Sequence, residues 1–233
     1  MMKKLSIIIS AYNEQGTILE CVKRVEAVSL PHRCEKEIII VDDGSTDGTR
    51  ELVDSLGDKH VVLHHEVNRG KGMAIRTGLS KATGDYIVTQ DADLENDPGD
   101  LAMMLSVMIS SDLPVLYGSR RLKEGNQSHT HFSFYAGGVI LSVLSNILYN
   151  QRITDEPTCY KMFRADLLKS FELKCERFEY CPEVTALTSL RGIKIQEVPI
   201  SYFPRTVGEG KKIRWRDGLI AALTLIRYRI YRR

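Results

Sequence analysis

Glu37-Ile38-Ile39-Ile40-Val41-Asp42-Asp43-Gly44-Ser45 passes from a continuous Ile/Val run straight into an acidic turn with glycine. A strand buried on both faces reads this way, without the alternation of a half-exposed strand. Working outward, Leu5–Ser10 is a similar apolar run, and His60–His64, Tyr86–Gln90 and Pro114–Tyr117 read as further strands. Between them, Thr17–Val28, Thr49–Leu56, Gly72–Ala82 and Asp100–Ile109 have helical spacing. Strand and helix in alternation predict an α/β fold: a mostly parallel sheet with right-handed crossovers, flanked by helices. In such sheets ligands bind at the carboxyl ends of the strands.

The rhythm breaks after Gly118. Residues 119–132 are polar and read as a loop, and 136–149 as an apolar helix too short for the roughly 20 residues of a membrane span. A helix over Pro182–Leu190 and a strand over Lys194–Tyr202 follow, and Ile213–Arg233 ends the chain as a helix with an apolar middle and basic ends. The expected organisation is a catalytic domain over residues 1–212, with the 136–149 helix inserted, and a basic amphipathic helix over 213–233.

At 233 residues, 43% hydrophobic and 27% charged, the chain suits one globular domain with a substantial core. That composition excludes disorder, collagen and coiled coil. A net charge of +2 excludes a generally basic nucleic-acid binder, but the charge is uneven: residues 211–233 carry +7 and residues 1–210 carry −5. A basic tail on an acidic body points to an anionic surface or substrate met at one end. The five cysteines form no C-x-x-C pair, which argues against zinc and for reduced thiols in the cytosol. Met1-Met2-Lys3-Lys4 leads directly into the first strand, without the apolar region of a signal peptide.

Acids collect at strand ends. Asp42-Asp43 follows one strand and Asp91-Ala92-Asp93 another. In an extended stretch alternate side chains share a side, so Asp91 and Asp93 face one ligand together. Crowded carboxylates call for a cation, and a hard ion such as Mg²⁺ or Mn²⁺ takes oxygen ligands and substrate phosphates. Positive groups stand at later strand ends: Arg120 and Arg121, then Arg205 and Lys211 around Gly208 and Gly210. Arginine's planar fork suits phosphate oxygens, while lysine supplies a point charge.

Ser6-Ile-Ile-Ile-Ser-Ala-Tyr-Asn-Glu14, Ile40-Val-Asp-Asp-Gly-Ser-Thr-Asp47, Asn68-Arg-Gly-Lys-Gly72, Asp91-Ala-Asp93 and Gly118-Ser-Arg120 together resemble the family-2 inverting nucleotide-sugar glycosyltransferases. Thr154-Asp-Glu-Pro-Thr-Cys-Tyr-Lys161, Glu183, Glu197-Val-Pro-Ile200 and Arg205…Gly208-Glu-Gly-Lys211 resemble the dolichol-phosphate mannose synthase branch and its polyprenyl-phosphate glycosyltransferase relatives. The resemblance implies a GT-A-type, Rossmann-like fold with C-terminal amphipathic interface helices. It also implies transfer of a hexose from GDP-mannose or UDP-glucose to a dolichyl or undecaprenyl phosphate, assisted by Mg²⁺ or Mn²⁺. Ser10, Tyr12, Glu14, Val41 and Asp43 would border the nucleotide, and Asp91, Ala92 and Asp93 would hold the sugar diphosphate. Asp91, Asp93 and Glu95 would bind the metal, and Arg120, Arg205 and Lys211 the phosphates. Asp91, Asp93, Arg205 and Lys211 would carry catalysis.

Two positions depart from the pattern: Ser10 replaces a usual proline and Cys159 a frequent glycine. An arginine often found early in the helix after the loop is absent from Phe134-Tyr-Ala-Gly-Gly-Val139, leaving Arg121, His129, His131 or Arg164 for the acceptor phosphate.

A phosphate acceptor needs no general base, because a phosphate monoester is largely dianionic at neutral pH. Alignment and charge stabilisation then suffice, with Asp91 or Glu183 orienting the sugar. A hydroxyl acceptor would make Asp155 the candidate base. The apolar helices and the aromatic Trp215, Tyr228 and Tyr231 suit a peripheral site on the cytoplasmic face of an anionic membrane. Transfer to a glycan hydroxyl and an inactive sugar-nucleotide scaffold are the competing readings. A nucleotidyltransferase would need an early glycine-rich loop, and the first strand leads instead into Ala11-Tyr12-Asn13-Glu14.

Overall fold

The computed structural model describes residues 2–126, 132–205 and 212–231. The strands are β1 (Lys4–Ala11), β2 (Glu35–Asp42), β3 (Val61–His64), β4 (Tyr86–Asp91), β5 (Val115–Ser119), β6 (Lys161–Arg164) and β7 (Gln196–Pro199). The helices are α1 (Ile18–Ala27), α2 (Thr49–Asp54), α3 (Lys71–Leu79), α4 (Asp100–Ser110), α5 (Phe132–Tyr149), α6 (Ala165–Lys169), α7 (Tyr180–Leu190) and α8 (Trp215–Tyr231). Among the described residues the strands form one sheet in the order β3-β2-β1-β4-β6-β5-β7. The pairs β1–β2, β1–β4, β2–β3 and β5–β7 are parallel, whereas β6 runs antiparallel to both β4 and β5.

Residue alternation along β1 divides the core. Leu5, Ile7 and Ile9 face Ile18, Val22 and Val25 of α1 and Leu101, Met104 and Met108 of α4. Ile8 faces the other layer, with Ala74 and Ile75 of α3, Leu141 of α5, Val184 of α7 and Leu225 of α8. The central strands are thus covered on both sides, as their unbroken Ile/Val runs require. The expected elements of the first 118 residues are present. β6 and α6 were not anticipated: a four-residue strand is too short to display a period, and Lys161 inside it reads as polar. α5 begins at Phe132, within the stretch expected to be loop.

The tail helix is docked on the domain. Ala221, Leu225 and Tyr228 are buried, the Tyr149 hydroxyl donates to the Leu225 carbonyl at 2.6 Å, and the Tyr228 hydroxyl donates to Glu183. The opposite faces are apolar and bare. Leu219, Leu223, Ile226 and Ile230 recur at helical spacing on α8, and Ile140, Val143 and Ile147 do so on α5. Among the described residues, no helix is long and apolar enough to cross a membrane.

Leu225→Ala is expected to lower the unfolding free energy by about 2–5 kcal/mol, the usual range for a fully buried leucine. Leu223→Ala, on the bare face, is expected to change it by less than about 0.5 kcal/mol. Urea denaturation of the two variants makes the comparison.

Candidate active site

The parallel strands set Ser10 of β1 between Val41 of β2 and Asp91 of β4. The turns after these three strands therefore lie side by side. They are knitted together by local polar groups: Asn13 N–H donates to Ser45 Oγ at 2.9 Å and Thr46 N–H to Asn13 Oδ1 at 2.8 Å. Glu14 N–H donates to Thr49 Oγ1 at 2.8 Å. Gly44 lies in the left-handed region at φ +71, and a Cβ there would sit 2.5 Å from the Val67 backbone.

Asp43 turns inward. It faces His65 Nδ1 at 2.6 Å and accepts from Asn68 Nδ2, Arg69 N–H and Gly70 N–H at 2.8–3.0 Å. Its carboxylate shapes the 65–70 loop. Val41 and Ala92 are likewise buried in the core, so their side chains serve packing.

That loop delivers Lys71 to Asp91. Lys71 Nζ lies 2.5 Å from one Asp91 oxygen and donates to the other at 2.7 Å. Burial opposes the Asp91 charge, but Lys71 outweighs it and holds the carboxyl below its usual value. Despite its own burial, Lys71 is held well above its ordinary range by Asp91. Sequence reasoning assigned Lys71 no role. The available signal was a cation as the first residue of a helix, where the macrodipole disfavours it unless an acid stands close.

Asp93 is the least compensated acid. Burial, then repulsion from Asp91 and Glu95, push its carboxyl up to about 7, with Arg205 opposing. Arg205 Nη2 stands 3.6 Å from Asp93 and 2.8 Å from Glu14. Lys212 reaches the same Glu14 at 2.6 Å, lies over the Tyr12 ring and donates to the Tyr12 carbonyl. Burial would raise the Glu14 carboxyl, and these two cations instead bring it below its usual value.

Glu95, the third expected metal ligand, has a carboxylate that accepts from the Tyr202 hydroxyl and the Arg205 N–H, both at 2.9 Å. It therefore anchors the segment that carries Arg205 to the site. Asp91 and Asp93 stand next to each other at the end of β4 with side chains part-exposed, and Asp93 has the weaker cationic compensation of the two. Among the described residues, no group of three or more His, Cys, Asp and Glu side chains is arranged to hold a metal alone. Two carboxylates still fit Mg²⁺ or Mn²⁺ when the remaining ligands are substrate phosphates and water.

Arg120 spends its fork on Asp155, with contacts of 2.7 Å from Nε and Nη2, and lies 4.9 Å from the Tyr202 ring. Burial would raise the Asp155 carboxyl, but Arg120 takes it down to about 2. Asp155 is thus a poor base. Arg121 donates to the Thr154 carbonyl, and its Nη2 lies 2.7 Å from where a Cβ on Gly138 of α5 would be. Arg164 does not belong to the site. Because β6 is antiparallel, Arg164 pairs with Tyr86 at the start of β4, across the sheet from Asp91, and there it bonds Asp166. Glu183 is fully buried, with its carboxylate on the Lys174 and Cys175 amides. Lys211, His129 and His131 lie outside the described residues.

The model of Glycosyl transferase family 2 matches residues 6–171. A UDP-N-acetylglucosamine–dolichyl-phosphate N-acetylglucosaminyltransferase of Methanococcus voltae is 30% identical over 218 residues, covering 85% of each chain. A dodecaprenyl-phosphate galacturonate synthase of Rhizobium johnstonii is 28% identical over 89% of this chain, which spans 61% of that relative's length. Among solved structures, Mycobacterium tuberculosis glucosyl-3-phosphoglycerate synthase, crystallised with Mn²⁺, UDP-glucose and phosphoglyceric acid, shares the fold. The TM-score is 0.72 at 17% identity, over 97% of this chain and 80% of that one.

Two outcomes test this electrostatic picture. Asp155→Ala strands a buried arginine and is expected to cost about 3–5 kcal/mol in urea denaturation. The wild-type contribution of Asp155 is held above the unfolded carboxyl value and is lost as pH falls towards about 2. Asp93 has the opposite sign: a carboxyl raised to about 7 binds its proton more tightly when folded, so its contribution declines as pH rises from about 4 to about 7. In chelator at about pH 8, Asp93→Asn is expected to melt above wild type. Added Mn²⁺ is expected to raise the wild-type Tm and leave the variant unmoved.

Proposed function

The chain belongs to glycosyl transferase family 2, and we propose that within it this protein transfers a hexose from a nucleotide sugar to a polyprenyl phosphate at a membrane surface. The course of the chain from Lys212 into α8 carries the proposal. Lys212 touches Glu14 and Tyr12 at the strand ends. Three residues later Trp215 opens α8, 74% exposed, and the bare apolar stripe follows. An acceptor with a phosphate head and an apolar tail matches that sequence of surfaces. The relatives named for dolichyl-phosphate and dodecaprenyl-phosphate chemistry support the same acceptor class.

The reaction is a displacement at the anomeric carbon. The bond to the donor's diphosphate oxygen breaks, a bond to an acceptor phosphate oxygen forms on the opposite face, and the nucleoside diphosphate leaves. No proton needs to be removed from a dianionic phosphate. This suits a site whose Asp155 is committed to Arg120. Arg205, beside Asp93, would take the negative charge that gathers on the departing diphosphate, and the turn at 12–15 would border the nucleotide. A divalent ion on Asp93 and Asp91 would add charge neutralisation at the same oxygens. Transfer to a glycan hydroxyl would need a base that Asp155 cannot supply.

The enzyme would sit on the cytoplasmic face of the membrane, where the free thiols of its five cysteines suit a reducing compartment. α5 and α8 would lie in the interface.

Nucleotide release from UDP-glucose, UDP-N-acetylglucosamine and GDP-mannose, with Mg²⁺ or Mn²⁺ and with or without a short polyprenyl phosphate, tests the reaction. Stimulation by the lipid with one donor, lost in Asp93→Ala, is the expected result. Donor binding without stimulation would overturn the acceptor assignment. Sedimentation with anionic vesicles tests the surface: binding should weaken in high salt and in Ile147→Glu with Leu223→Glu. Binding unaffected by both would remove α5 and α8 from the interface.

A further inference from the structure

Glu183 is a buried carboxylate far along the chain from the strand-end acids, and the reaction above gives it no direct part. One oxygen accepts from Lys174 N–H at 2.7 Å, the other from Cys175 N–H at 3.1 Å, and the Tyr228 hydroxyl of α8 donates to the first. A carboxylate is an acceptor-only group, which is what two loop amides and a hydroxyl require together. The loop held in this way continues directly onto α3. The Glu176 carbonyl accepts from Met73 N–H at 2.8 Å, and the Arg177 carbonyl from Gly72 N–H at 3.2 Å.

Gly72 and Met73 belong to the first turn of α3, whose amides have no partner within the helix. α3 has no side-chain cap of its own. The 174–177 loop is its cap. The two backbones meet so closely that a Cβ on Gly70 would lie 2.5 Å from the Glu176 carbonyl, and one on Gly72 2.8 Å from that of Cys175. The residue between these glycines is Lys71, the partner of Asp91.

We propose that Glu183 is a positioning residue: through the 174–177 loop it sets Lys71 against Asp91, and Tyr228 makes that setting depend on the docking of α8. The proposal rests on the reading of Asp91 and Asp93 as donor-binding groups. It gives the interface helix a physical connection to the donor site, through backbone contacts that leave the loop little freedom to shift without moving Lys71. Ordinary core packing at Glu183 would stabilise the fold but show no special dependence on Lys71.

Tyr228→Phe keeps the ring and removes the hydroxyl that donates to Glu183, and Glu183→Gln keeps the shape but sets an amide N–H₂ among donors. Hydrogen exchange of the full chain reads the loop without any substrate. In both variants the amides of Gly72, Met73, Lys174 and Cys175 are expected to exchange about tenfold faster, with the β4 amides within about twofold of wild type. Unchanged exchange at Gly72 and Met73, or equal acceleration in β4, would overturn the proposal.

Donor turnover gives the second readout. Tyr228→Phe alone should lower it about fivefold, and in a Lys71→Met background by less than about twofold, since both changes act on one contact. Full additivity would make Glu183 a structural residue only. Exchange as expected, with no donor of the panel turned over, would leave the connection from Tyr228 to α3 standing and sink the assigned reaction instead.

Discussion

Repulsion among acids is the constraint around which this molecule is arranged. Parallel strands end side by side, so Glu14, Asp42, Asp43, Asp91 and Asp93 gather at one edge of the sheet. Carboxylates in such a place are tolerated only when each has its own partner. Asp43 is saturated by the 65–70 loop, Asp91 by Lys71, and Glu14 by Arg205 and Lys212. The acid with the weakest compensation is Asp93, and there a bound cation has the most to neutralise.

The partners of Glu14 come from the C-terminal third of the chain, about 190–200 residues away. Glu95 accepts from Tyr202 and Arg205 and so brings the basic segment back across the strand ends. The positive tail is thus divided. Lys212 meets the acidic body, while the residues beyond it continue into a helix with one face on α5 and α7 and one face bare. The charge distribution pointed to an anionic surface or substrate, and part of it is spent within the chain, on Glu14.

Much of this was legible in the residues. Ile/Val runs and helical spacing located the strands and helices of the first half, because burial on both faces leaves a local imprint. Asp91 and Asp93 stood out by their place at a strand end. Other assignments failed for lack of such an imprint. β6 is four residues long, and its reversed direction carries Arg164 to the start of β4, away from Asp91. Glu95 sits close to Asp93 in sequence, and its bonds to Tyr202 and Arg205, about one hundred residues away, leave no trace in the local pattern. Nothing near Lys71 in the sequence marks its role, because its partner is a strand end twenty residues on.

By itself, the sequence determined the α/β class, the parallel half of the sheet and the edge on which the acids gather. These follow from periodicity and from chain direction, both of which are local. Only the tertiary structure decided which cation answers which acid, that Asp155 is locked to Arg120, and that α8 docks through Tyr228 while keeping an apolar stripe exposed. Each of these is a pairing between distant segments. A charged side chain has the same local appearance whatever partner it finds, so the choice is made when the layers pack.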